Sequence, residues 1–95
     1  MEGNYYIYIL TTKKNSSLYV GVTSNLQKRI WEHKQGLVDG YTKKYSVTKL
    51  VYVERYEDVK EAIHREKCMK EWKREWKMNL INSSNPDWKD LYENF

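Results

Sequence analysis

The sequence is poor in the residues that staple, break or anchor a chain. Cysteine occurs once, as Cys68, which excludes an intramolecular disulfide, a CxxC redox pair and a thiolate-rich zinc site. A small hydrophobe on a helix is the ordinary role for it. Proline occurs once and glycine four times among 95 residues, so no proline-rich or glycine-rich linker divides the chain, and one domain spanning 1–95 is expected. No apolar run approaches the roughly 18 residues of a membrane span. The first residues carry neither the apolar core nor the cleavage site of a signal peptide. A cytoplasmic protein without membrane association is therefore expected. Phenylalanine is reduced to one residue, yet nine Tyr and four Trp are present, so the chain lacks the aromatic-poor composition of disorder and should fold around aromatic side chains. Acids are outnumbered, 13 against 17 Lys and Arg, and the resulting +4 favours anionic partners.

Tyr5–Leu10 and Leu18–Val22 are dense in β-formers and flank the polar stretch 13–17, which reads as a β-hairpin. Alternation puts Tyr6 and Tyr8 on one face and Ile7 and Ile9 on the other. On the second strand, Tyr19 and Gly21 oppose Leu18, Val20 and Val22. A helix over 25–35 follows, with Ser24 as its N-cap, Gln27 in capping-box spacing and Gly36 at its exit. A polar loop carrying Gly40, Lys43 and Lys44 leads to a third strand over 48–56, in which Val51 and Val53 alternate with more polar neighbours. From Asp58, the expected N-cap, to about Leu80 neither Gly nor Pro interrupts a run that reads as one long helix, broken at most once. Within 60–77 it carries seven Lys or Arg against four Glu. In the tail, Trp88, Leu91 and Tyr92 are available to dock a last short helix on the core.

Three features break this pattern. Val59, Ala62, Ile63, Met69 and Leu80 share one side of the long helix, with Trp76 at its edge, and Glu66 falls in the middle of that stripe. A carboxylate there needs a cation, hydrogen bonds or a proton. A salt bridge at the helix margin would serve; so would a role as metal ligand or catalytic acid. On the first helix, His33 shares a face with Leu26, Ile30 and Leu37, and Arg29 lies one turn before it along the edge. Tyr8 and Tyr19 form the third feature, packed cross-strand aromatics or the floor of a site, with Gly21 beside them clearing space for a ligand or another backbone. Phenols, a guanidinium, an imidazole and a carboxylate together suit phosphate chemistry, in which charge on phosphorus must be stabilised and an oxygen nucleophile deprotonated.

The order Tyr6-Ile7-Tyr8, Tyr19-Val20-Gly21, Arg29, His33 and Glu66 resembles the GIY-YIG nuclease superfamily. Eleven positions separate Tyr8 from Tyr19, ten more reach Arg29, and four more reach His33. The likeness covers nearly the whole chain, and the ending Asn85-Pro86-Asp87-Trp88 looks like the small stand-alone branch, related to the catalytic domain of excision-repair and homing endonucleases. The resemblance implies an α+β fold, a three-stranded antiparallel sheet flanked by helices, and one divalent metal, Mg²⁺ or Mn²⁺, held by Glu66. It implies Tyr8 as general base, Tyr19 as its support or a phosphate ligand, Arg29 as stabiliser of the pentavalent phosphate, and His33 as hydrogen-bond partner or proton shuttle. Tyrosine, with an ordinary pKa near 10, is a poor base at neutral pH, so the metal, Arg29 or His33 must favour its phenolate. Tyr6 departs from the glycine of the family name, and Val20 replaces isoleucine. The family's late active-site asparagine corresponds to Asn79, Asn82 or Asn85, with Asn85 favoured and a turn before Pro86 as its other role.

Three functions follow. The first is a metal-dependent endonuclease cutting DNA phosphodiesters, selective for structure and linked to repair or recombination. RNA remains a second possible substrate, and phosphate contacts would come from Lys43, Lys44, Lys67, Lys70 and Arg74. The second is a noncatalytic nucleic-acid-binding module that stacks bases on the tyrosine face. The third, ranked last, is a protein-interaction domain anchored by Trp72 and Trp76. A monomer is expected, and a homodimer is compatible with each.

Overall fold

A computed structural model describes residues 3–95. Strand β1 (Tyr5–Thr11) lies between β2 (Leu18–Thr23) and β3 (Lys49–Tyr56) in one antiparallel sheet, order β2-β1-β3. Helix α1 (Leu26–Lys34) and the short α2 (Tyr41–Lys44) connect β2 to β3, and α3 (Val59–Glu71) and α4 (Arg74–Ser84) follow. The hairpin alternation sorts the core into two layers. Ile7, Ile9 and Val20 pack with Ala62, Met69, Ile81 and Trp88, while Tyr8 and Leu10 pack with Leu26, Ile30 and Val47. The first layer lies under α3 and α4, the second under α1 and the loop that follows it.

Several local expectations shift. Asn25, rather than Ser24, caps α1, its Oδ1 accepting from Lys28 N at 3.2 Å. Gly36, at φ +71°, ends the helix, so Leu37 leaves the apolar face on which His33 sits and is 62% exposed. The loop after it contains α2, entered through Gly40 at φ +105°, a conformation open to glycine at little cost.

The third strand does not alternate simply. Ile9 pairs with Tyr52 and Leu10 with Leu50, which leaves Val51 as the extra residue of a bulge. The bulge turns Val51 into the isoleucine layer, and Val53 packs on the tyrosine side.

The long helical run is two helices. Trp72 and Lys73 adopt ψ of 149° and 148°, with no Gly or Pro at the break. At the break Trp72 packs against the isoleucine layer, with its ring under the Arg65 guanidinium and edge-on to Trp76. The break resets helical phase. Ile81 is therefore the fully buried position of α4 in place of Leu80, Trp76 is 49% exposed, and on α3 Val59 and Ile63 are each 40% exposed. Asp58 caps α3 as expected, accepting from Lys60 N at 2.9 Å.

The tail returns to β3. Leu91 N donates to Leu50 O at 2.7 Å, Asp90 accepts from Leu50 N at 3.2 Å, and Trp88 is buried in the isoleucine layer. The expected terminal helix is a single 3₁₀ turn, Tyr92–Asn94. Among the described residues no helix is long and apolar enough to cross a membrane.

Candidate active site

The tyrosine face of the hairpin and the inner face of α1 enclose a small aromatic cluster. Tyr8 is almost completely buried in mid-sheet, and its hydroxyl lies 3.0 Å from His33 Nε2. His33 is equally buried, and its other nitrogen, Nδ1, lies 3.0 Å from Thr42 Oγ1 on α2. Tyr19 completes the cluster, its ring 5.7 Å from the imidazole and 6.4 Å from Tyr8 between centroids. Gly21 pairs with Tyr8 across the strands. A Cβ on Gly21 would clash with Tyr8 Cζ, at the hydroxyl end of its side chain, so the space that glycine clears is occupied by Tyr8 itself, not left open to a ligand.

Burial sets the electrostatics. It pushes the Tyr8 phenol up to about 12; Arg29 opposes that rise, whereas the charges of Tyr19 and Glu66 add to it. His33 is brought down to about 4 by burial and then by the Arg29 charge. Near pH 7 the free protein therefore holds a neutral phenol against a neutral imidazole. Arg29 is raised by its closeness to Tyr8, forms a 3.5 Å ion pair with Glu32 and opens onto a groove of about 470 Å³ with Val22, Lys28 and Glu32.

Glu66 lies on α3, which packs on β2, the edge strand of the sheet. The Glu66 side chain is 15% exposed and pairs with Lys70 Nζ at 3.0 Å, so it is half-buried at the helix margin. The described residues contain no group of three or more His, Cys, Asp and Glu fit to cage a metal. A single carboxylate instead fits a hard cation such as Mg²⁺, which keeps several waters and takes further oxygens from a substrate phosphate.

The remaining candidates divide. Lys70 is engaged with Glu66, Lys43 pairs with Asp39 at 3.7 Å, Lys44 lies over the Tyr45 ring, Lys67 is exposed, and Arg74 donates to Asn15 O at 3.2 Å. Asn85 is away from the aromatic cluster: Nδ2 donates to Val51 O at 3.1 Å and to Lys89 O at 2.8 Å, which spends both amide hydrogens. Asn82 accepts from Trp88 Nε1 at 2.6 Å, and Asn79 lies beside Trp72 and Trp76. Sequence reasoning missed Thr42; only its place in a polar loop after His33 signalled it.

A family model described as the GIY-YIG catalytic domain matches residues 4–79. The chain belongs to the GIY-YIG family. A UPF0213 protein of Clostridium perfringens is 44% identical over 80 residues, 84% of this chain and 85% of the relative. A second, from Staphylococcus saprophyticus, is 38% identical over 78 residues, 82% and 94% respectively. The solution NMR structure of a UPF0213 protein from Bacillus halodurans matches with a TM-score of 0.58 at 28% identity, covering 93% of each chain. The α+β fold expected for a GIY-YIG domain, a three-stranded antiparallel sheet with flanking helices, is the fold found. GIY-YIG domains are generally endonucleases that act on nucleic acid with a divalent metal.

Proposed function

We propose that this GIY-YIG chain is an endonuclease that hydrolyses DNA phosphodiesters with one Mg²⁺ or Mn²⁺, selects its substrate by structure and serves DNA repair or recombination as a cytoplasmic monomer. The observation that carries the reading is the buried Tyr8–His33–Thr42 chain, flanked by Tyr19 and Arg29. Glu66 would hold the metal, which when bound acts as a Lewis acid on the scissile phosphate.

The chain's own residues supply the rest. A phenol held at about 12 cannot act as a free phenolate at neutral pH, so Tyr8 serves as a relay. Once a substrate phosphate offsets the Arg29 charge that helps hold His33 down, Tyr8 takes a proton from the attacking water as it passes its own to His33 Nε2. The resulting imidazolium is held by Nδ1–H donating to Thr42 Oγ1. Arg29 stabilises the charge that develops on the phosphoryl oxygens. Tyr19 is half-buried, and its hydroxyl has no hydrogen-bond partner among the described residues; it is free to hold a phosphate oxygen or the water.

The test is nicking of labelled linear, flap, branched and single-stranded DNA in Mg²⁺, Mn²⁺ or EDTA, with Glu66→Ala and Tyr8→Phe as controls. Metal-dependent cutting that falls by about 10²–10⁴-fold in Tyr8→Phe and is lost in Glu66→Ala, with folding and binding intact, supports the nuclease. Binding without cutting, unchanged by Glu66→Ala, replaces it with a noncatalytic nucleic-acid-binding module.

A further inference from the structure

Helix α2 has two faces with different work. Thr42 points inward to His33 and is buried. Tyr41 and Tyr45, one turn apart, point outward, 47% and 50% exposed, with ring centroids 4.9 Å apart and planes tilted by 51°. These two large exposed aromatics, one opening the helix and the other capping its end, contribute nothing to either core layer.

Their surroundings are basic. Tyr41 shares a cavity of about 250 Å³ with Ser16, Ser17, Arg74 and Lys77. Tyr45 shares one of about 460 Å³ with Lys13, Lys14, Ser16 and Thr48. Ser16 lines both, so the two cavities form one strip crossed by the tyrosine pair. Lys44 adds its charge over the Tyr45 ring at 5.3 Å. Between residues 3 and 53 the only acids are Glu32, which belongs to the Arg29 groove, and Asp39, which pairs with Lys43; on α4, Glu75 lies between Arg74 and Lys77 in sequence but does not line either cavity.

The strip is joined to the candidate active site through the backbone of α2: Tyr41 faces outward, and the next residue, Thr42, is buried against His33.

We propose that Tyr41 and Tyr45 form a stacking platform for unpaired bases of a nucleic-acid strand, whose phosphates lie on Lys13, Lys14, Arg74 and Lys77. Exposed aromatic faces interleaved with cations are what single-strand binding requires, because every base offers a π-face while its phosphates need positive charge. A duplex keeps its bases stacked on one another and gains only the phosphate contacts. The inference rests on the nuclease reading for its direction: it names a strand with unpaired bases beside the cut as the substrate.

The test measures fluorescence anisotropy of labelled single-stranded DNA and RNA homopolymers of about twenty nucleotides, and of a matching duplex, in EDTA so that binding is read without cutting. The full chain is compared with Tyr41→Ala, Tyr45→Ala, the double alanine variant and the Tyr41→Phe/Tyr45→Phe double variant, each checked for an unchanged circular dichroism melt. Each alanine should weaken single-strand binding roughly tenfold and duplex binding less than about threefold, whereas the phenylalanine pair should bind like the wild type. Equal single-strand affinity in the double alanine variant overturns the platform, as does an equal loss for single strand and duplex. A parallel cutting assay with Mg²⁺ or Mn²⁺ separates the two readings. Tyrosine-dependent single-strand binding without any cutting upholds the platform and removes the nuclease; cutting that ignores both tyrosines removes the platform and leaves the nuclease standing.

Discussion

Gly21 stands opposite Tyr8 across the β1–β2 ladder, and the Tyr8 ring fills the volume that any other side chain at position 21 would need. The glycine that ends Tyr19-Val20-Gly21 thus fixes the depth of the first-strand tyrosine. It is this seating that brings the Tyr8 hydroxyl to 3.0 Å from His33 Nε2.

Gly21→Ala should therefore be costly in both stability and activity. The clash is with a buried aromatic ring held by a hydrogen bond, not with the free end of a flexible chain. Overpacking of this kind costs about 1–3 kcal/mol. Urea unfolding should report that loss, and cutting should fall further than the folded fraction does. A variant as stable and active as the wild type would show that the hairpin yields without moving Tyr8.

His33 should make the fold acid-sensitive in a defined window. In the unfolded chain it binds a proton near its ordinary pKa of 6.5; in the fold, burial and Arg29 hold it near 4. Between those values the unfolded state carries more protons, so stability rises with pH across the window. The contribution is complete above about 6.5 and is lost as pH falls toward 4, amounting to about 3 kcal/mol. His33→Gln should flatten this part of the stability curve relative to the wild type, as read by urea melts at pH 4.5 and 7. A difference curve that stays constant with pH would place the acid sensitivity elsewhere. Glu54 is the control: burial would raise it, but hydrogen bonds from Arg65, Tyr52 and Tyr56 hold it below its ordinary value, so its contribution falls away at still lower pH.

Thr42 should act on the reaction through His33. Thr42→Val keeps the shape and leaves the buried Nδ1 without its partner at 3.0 Å, a loss of about 1–3 kcal/mol. Cutting should drop at constant KM, since the threonine orients a base and touches no substrate, and Thr42→Ser should restore most of it. A rise in KM with kcat unchanged would instead make Thr42 part of substrate binding.

What the sequence made legible was periodic or local. Alternation in Tyr5–Leu10 and Leu18–Val22 assigned both faces of the hairpin, and the capping residue of α3 was read at Asp58. What escaped depends on contacts distant along the chain. The break at Trp72–Lys73 comes from packing that overrides helical propensity, and it moved the buried position of α4 from Leu80 to Ile81. The bulge at Val51 forms only when β1 and β3 pair. Thr42 reaches His33 across nine residues and two glycine turns, and no spacing rule connects them. The space at Gly21 was foreseen, but its occupant, a side chain from the partner strand, was not.

Asn85 should prove to be a fastening of the tail and not a member of the site. Its amide donates to Val51 O at 3.1 Å and Lys89 O at 2.8 Å while its Oδ1 accepts from Lys89 N at 3.0 Å. It thereby ties the tail to the bulged residue of β3, whose irregular pairing the sheet itself leaves unmatched. Asn85→Ala removes one buried and two partly buried hydrogen bonds and should cost about 2–3 kcal/mol. Asn85→Asp should cost more, because a carboxylate oxygen would face two carbonyls in place of the amide N–H groups. Under conditions where each variant remains folded, kcat for cutting should match the wild type. A loss of kcat in fully folded Asn85→Ala would bring this residue back to the reaction, and would require the tail to move toward Tyr8 when substrate binds.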